Sequence, residues 1–146
     1  DYVMMHWRGH SDTMDDRAHY GDVVAEVAQE VTARVNLAVE SGISADRILL
    51  DPGLGFAKTP AHNWELLRNL SDAIPGPSRV VVGASRKRFL GEVVSGEHEP
   101  RDRDGASAAL GVLLADQGVF ALRVHNVTAH REALDVWQAF REGGTS

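Results

Sequence analysis

Cysteine is missing from this chain, which removes disulfides, thiolate nucleophiles and sulfur-bound metal together. A reducing, cytoplasmic setting is the resulting expectation. Aromatic residues are sparse at 6%, and no apolar run approaches the ~18 residues of a membrane span. No membrane partner and no secretory leader are expected. Positive charge is short: 15 Lys and Arg stand against 21 Asp and Glu, a net charge of −6. That balance argues against nucleic acid as the main partner, so any anion site must be local. An initiator Met is also missing, since Asp1-Tyr2-Val3-Met4-Met5-His6 already reads as a strand. A piece of something longer is therefore expected. What remains is ordinary for a globular domain: 146 residues, 43% hydrophobic and 25% charged.

The chain alternates strand and helix. Tyr2 to His6 reads as a strand, followed by a polar loop from Trp7 to Gly21. Val24, Val27, Val31, Val35 and Ala38 recur at helical spacing, with Asp22 as N-cap and Gly42 just past the end. Arg47 to Asp51 is an apolar strand that ends in a Gly-rich turn. Thr59-Pro60 then offers an N-cap and a first helical position, with Trp64, Leu67, Leu70 and Ile74 as the buried stripe. Arg79 to Gly83 is the third strand, and Ser85 is placed to cap a helix from Arg86 to Val94. A charged loop from Ser95 to Arg103 leads to a helix from Ala106 to Gln117, carrying Leu110, Leu113 and Leu114 and stopped by Gly118. Val119 to Val127 is the fourth strand and its exit. Thr128 caps a last helix through Leu134, Trp137 and Phe140. The tail from Gly143 to Ser146 is expected to fray.

Four β-then-α units with non-alternating strands indicate an α/β protein with parallel strands covered by helices. A doubly wound sheet and a barrel both satisfy that pattern. No GxGxxG opens a helix after a strand, which weakens the dinucleotide-binding version. Four units make half of an eight-fold barrel of ~250 residues. In such a barrel the strand C-termini share one face, so Asp51, Lys87, Arg123 and His125 would line a common pocket.

DPGLGFAKT with the later Asn63, VGASRKRFLG and RVHNV, in that order, resemble dihydropteroate synthase, and MHWRG resembles its actinobacterial members. The resemblance covers residues 1–146 and implies the C-terminal half of a (β/α)8 TIM barrel, strands five to eight with their helices. The implied reaction joins p-aminobenzoate to 6-hydroxymethyl-7,8-dihydropterin diphosphate in folate biosynthesis and releases diphosphate. Mg2+ is implied as a cofactor on the substrate diphosphate, with its protein ligand in the N-terminal half. Sulfonamides are implied as competitors, and helices of this half as the homodimer contact. The isolated half is expected to be inactive. Two other readings stay open: a pterin-binding methyltransferase barrel, and a non-catalytic fragment or paralogue.

Substrate roles follow residue by residue. Asp51 is a pterin anchor by resemblance, because a carboxylate accepts two adjacent N–H groups in one plane; otherwise it caps its own turn. Phe56 closes over the ring or staples the loop, and Met5 lines the pterin pocket or packs the core. Lys87 is placed in the first turn of a helix, where a cation opposes the dipole, so a ligand explains it better than helix stability does. Ser85 and free N–H groups around Arg86 and Lys87 are expected to receive the benzoate carboxylate, and Gly83 is a further substrate-binding candidate. For Arg86 and Arg88 the plainer alternative is solvated surface. Arg123 and His125, alternating on the last strand, grip the diphosphate or else bridge neighbouring loops. Lys87, Arg123 and His125 are the catalytic candidates. Asn126 departs from the Asp that more often follows this His in the family. No protein metal site is expected; His6 and His10 have a metal-like interval without a helix to align them. His19, His62, His98 and His130 read as surface or loop residues.

Overall fold

The computed structural model describes residues 1–9, 14–74, 76, 78–94 and 99–143. It forms two compact units, Asp1–Val82 and Gly83–Ser146. The interval from His6 to His10, the residue His98 and the tail beyond Gly143 therefore reach outside the described residues.

In the first unit, β1 (Tyr2–Met5), β2 (Ile48–Asp51) and β3 (Arg79–Val82) run parallel, with β1 at the edge. Met5 lies opposite Asp51, and Leu50 opposite Val80. Flanked on both sides, β2 is buried at every position, which explains why its sequence does not alternate. Helix α1 (Val23–Glu40) starts where Asp22 accepts the N–H of Ala25 at 3.0 Å, and Gly42 follows its end at φ +96°. Its buried stripe is Val23, Val27 and Val31, narrower than the sequence suggests, with Val24, Val35 and Ala38 half-buried. It packs against α2 (Pro60–Arg68) and α3 (Leu70–Ala73). Thr59 opens α2 with a capping box completed by His62. The stripe from Trp64 to Ile74 is divided between two helices, because Asn69 turns out of helical geometry at φ −120° and bonds back to Glu65. Leu54, Leu66 and Val27 are fully enclosed, each worth roughly 1.5–3 kcal/mol of burial.

The second unit departs further from expectation. The helix placed over Arg86 to Val94 shrinks to α4 (Arg88–Gly91). Arg86 sits at φ +62°, outside helical geometry, and Ser85 is engaged elsewhere. Helix α5 (Asp104–Asp116) begins two residues earlier than its pattern suggests, and Leu113 is 62% exposed while Leu110 and Leu114 are buried. The fourth strand is only β4 (Ala121–Leu122). Helix α6 (Val127–Arg141) is capped by Asn126, not Thr128: the Asn126 side chain accepts the N–H of Ala129 at 3.0 Å. Its end is outside the core, with Phe140 85% exposed. His130, expected at the surface, is buried against Gly111 where α5 and α6 pack, and its Nδ1 bonds the carbonyl of Asn126 at 2.8 Å.

Candidate functional site

In the first unit, β2 delivers Asp51 at 5% exposure, and the following loop folds back over its strand end. Asp51 Oδ1 accepts the N–H of Gly53 at 2.8 Å. The turn-capping alternative is therefore realised. Gly53 at φ +67° passes so close to His6 that a Cβ would lie 1.8 Å from the His6 carbonyl oxygen. Phe56 is half-buried and donates its N–H to the Gly53 carbonyl at 3.1 Å, closing a turn within the loop. Asn63, buried on α2, accepts from Gly55 at 2.8 Å and donates to the Thr59 carbonyl at 2.9 Å. Met5 is half-buried in register with Asp51.

Beneath this loop runs a charged chain that sequence reasoning missed. Lys58 is buried and donates to His6 Nδ1 at 2.9 Å and to the carbonyls of Gly53 and Phe56 at 3.1 Å each. His6 Nε2 donates to Glu30 at 3.0 Å, and Arg8 binds both Glu30 and Glu26 while stacking 3.8 Å above the Tyr20 ring. Burial first, then the Lys58 charge, lowers the His6 pKa to about 4. Burial likewise pushes the Tyr20 phenol up to about 12. The bonds from Arg8 and the N–H groups of Asp22 and Gly21 bring Glu26 down to about 2. His6, for which no metal role is expected, has both ring nitrogens on protein partners. The Lys at the end of DPGLGFAKT was the available signal.

In the second unit, Ser85 is buried, and its Oγ accepts the N–H of His125 at 3.3 Å and lies 3.1 Å from His125 Nδ1. The Ser85 hydroxyl thus meets both the amide and the ring of an exposed His125. The Arg123 guanidinium lies against Gly83, where a Cβ would come within 2.7 Å of Nη2. Gly83 thus serves by making room for Arg123. Because β4 ends at Leu122, Arg123 and His125 lie beyond the strand, and strand alternation does not set their directions. The His125 N–H, beyond the strand, is spent on Ser85.

Two expectations need correction. Lys87 occupies the N-cap position of α4, not its first turn, and it donates its N–H to Ala84 at 3.2 Å. The Arg86 N–H goes to Ser107 Oγ at 3.0 Å, so the free amides assigned to a carboxylate are already spent. Nor is Arg86 a solvated surface residue. It grips Asp104 through Nε at 2.7 Å and Nη2 at 2.9 Å, and Asn126 Nδ2 donates to the same carboxylate at 3.0 Å. Arg86 first, then Asn126, holds the Asp104 carboxyl at about 2. Among the described residues, no group of three or more His, Cys, Asp or Glu converges as a metal site.

Residues 1–125 match the family model described as pterin binding enzyme. The chain belongs to that family. It is 41% identical to a dihydropteroate synthase of Mycobacterium leprae over 148 residues, covering 98% of this chain and 52% of that protein. Solved structures of the Thermus thermophilus dihydropteroate synthase superpose at 43% identity. The complex with 6HMPPP gives a TM-score of 0.87 over 95% of this chain and 55% of that one. The complex with 4-aminobenzoate gives 0.86 over 94% and 52%. A Yersinia pestis dihydropteroate synthase in a sulfonamide drug complex gives 0.84 at 32% identity, over 97% of this chain and 51% of that one. The chain thus spans about half the length of the relatives it matches, and its parallel strands and intervening helices have the fold of half of that barrel enzyme.

Proposed function

We propose that this chain is the C-terminal half of a dihydropteroate synthase, whose reaction joins p-aminobenzoate to 6-hydroxymethyl-7,8-dihydropterin diphosphate. The observation that carries this reading is a matched pair of sites on the motifs shared with the family: a buried carboxylate, Asp51, at a strand end, and an exposed Arg123 and His125 braced by Gly83 and Ser85. In the first unit, Asp51 accepts N–H groups of the pterin edge, with Phe56 and Met5 beside the ring. In the second, Lys87 is a substrate-binding residue, and Ser85 supports both the benzoate site and His125.

The arylamine nitrogen attacks the methylene carbon of the pterin, a C–N bond forms, and the C–O bond to diphosphate breaks. The bonding electrons leave on the diphosphate, and the nitrogen sheds its proton to solvent or to that anion. Arg123 meets the growing charge with its planar fork and His125 with a ring N–H, so both act most strongly as the bond breaks. Little base catalysis is asked of the protein, because the amine is already nucleophilic. Mg2+ on the diphosphate would add charge neutralisation. Its protein ligand is expected in the other half. Sulfonamides compete for the benzoate site in this reading, and the working protein is a homodimer in the cytoplasm.

The test is to mix this chain with the N-terminal portion of the Mycobacterium leprae relative that it does not cover. The chain alone is expected to show no condensation of p-aminobenzoate, and the mixture to restore it. Arg123→Ala should lower kcat in the mixture by roughly 100-fold or more, a loss on the order of that for one developing-charge donor. A mixture that folds yet binds neither substrate would sink the reading.

A further inference from the structure

The loop after β2 carries Asp51 at its base and Phe56 near its tip, and it is an unfavourable piece of backbone. Gly53, Gly55 and Ala57 all have positive φ, +67°, +73° and +49°, and Ala57 is a residue that the left-handed region penalises. Such a conformation persists only where its surroundings dictate it. Lys58 is the side chain that does so at the loop's end. Its ammonium is buried, which costs free energy unless every donor is matched, and each of its three donors has an acceptor: His6 Nδ1, the Gly53 carbonyl and the Phe56 carbonyl. The two carbonyls bracket the stretch from Gly53 to Phe56. His6 anchors the third bond to β1 through its 1%-exposed ring, and Glu30 on α1 fixes that ring from the other side. A methionine would fill similar space without the desolvation cost, so the buried charge is explained by what it holds.

We propose that Lys58 is a positioning residue for pterin recognition: through neutral His6 it clamps the carbonyls of Gly53 and Phe56, fixing the loop so that Asp51 and Phe56 present one ready-made face to a flat, amino-substituted heterocycle. The proposal rests on the reading of Asp51 and Phe56 given above. His6 must be neutral to accept from an ammonium, and its pKa of about 4 keeps it so near neutral pH. Glu30 remains ionised through the bonds from Arg8 and His6, although its burial opposes this.

The experiment compares wild type, Lys58→Met and Lys58→Gln in the 146-residue chain, and again in the mixture with the complementary half. Amide exchange is read at Gly55, Phe56 and Ala57, with α1 as internal reference, and the affinity for 6-hydroxymethylpterin is read by titration. Lys58→Met should speed exchange at those three amides at least 10-fold, with α1 unchanged, and weaken pterin binding about 10-fold. It should leave the affinity for inorganic diphosphate, read out at Arg123 and His125, within twofold. The His6 ring should titrate higher once the ammonium is gone. Lys58→Gln, which keeps donors for the two carbonyls, should recover part of both effects. Loop exchange and pterin affinity within twofold of wild type in Lys58→Met would overturn the proposal. If Lys58→Met does not fold, Lys58→Gln decides by the same criterion; if neither folds, comparing loop with α1 exchange in wild type as His6 is protonated decides it, and no selective loosening overturns it. A wild-type mixture that binds no pterin overturns the functional reading instead, and loop exchange alone then judges the clamp.

Discussion

At the scale of single residues, close approach decides more than charge does. Gly53 has no room for a side chain, because the His6 carbonyl oxygen occupies the place of its Cβ, and its φ is positive as well. Gly53→Ala therefore forces β1 and the loop apart, and should destabilise the first unit by at least about 2 kcal/mol in denaturant titration. Asn126 shows a different economy. One amide caps α6 through its oxygen and steadies Asp104 through its nitrogen. Asn126→Asp keeps the cap but sets a second carboxylate beside Asp104 and removes the donor. The Asp104 carboxyl should then titrate above its present value of about 2, with Tm falling by a few degrees. The sequence marked this asparagine as a departure from its family, and the structure supplies the partner that makes asparagine suitable here.

At the scale of elements, the first unit hangs on a polar strut between β1, α1 and the loop before α2. The groups facing His6 are Lys58, Glu30 and Arg34, with Arg8 and Tyr20 next to them. Because the folded pKa of about 4 lies below the ordinary 6.5, the unfolded chain binds the His6 proton first as pH falls. Stability is full above about 6.5 and declines between there and about 4. Glu26, held at about 2, adds a second loss beginning below its ordinary 4.5. Urea midpoints measured at about pH 7, 5.5 and 4 should fall in that order, and His6→Gln should flatten the first step. Unchanged midpoints across that range would contradict the buried neutral imidazole.

At the scale of the whole chain, large apolar side chains are exposed in both units. Tyr2, Val3 and Leu37 are exposed in the first, and Phe120, Val127, Val136 and Phe140 in the second. In the second unit a groove of about 350 Å³ lies between β4 and α6, lined by Val119, Phe120, Leu122, Val124 and Leu134. The proposed homodimer uses this half, and Phe140→Glu and Val136→Glu together should shift the sedimenting mass of the complemented protein from dimer to monomer. A dimer that survives both substitutions places its contact elsewhere. Among the described residues, no helix is long and apolar enough to cross a membrane.

The order of strands and helices was readable in the residues, because each depends on local patterns: valines spaced for α1, the uninterrupted apolar run of β2, Asp22 and Thr59 as caps, Gly42 and Gly118 as stops. The motifs that place the chain in its family were readable for the same reason, since they are contiguous. Other features depended on groups brought together from afar. Lys58 reaches His6 across 52 positions, Ser85 reaches His125 across 40, and Arg86 reaches Asp104 across 18. The Arg86 amide, reserved for a carboxylate, is likewise taken by Ser107 across 21 positions. A local pattern records what a segment prefers; which donor meets which acceptor is settled only when folding has brought them within about 3 Å and excluded the water that would otherwise serve both.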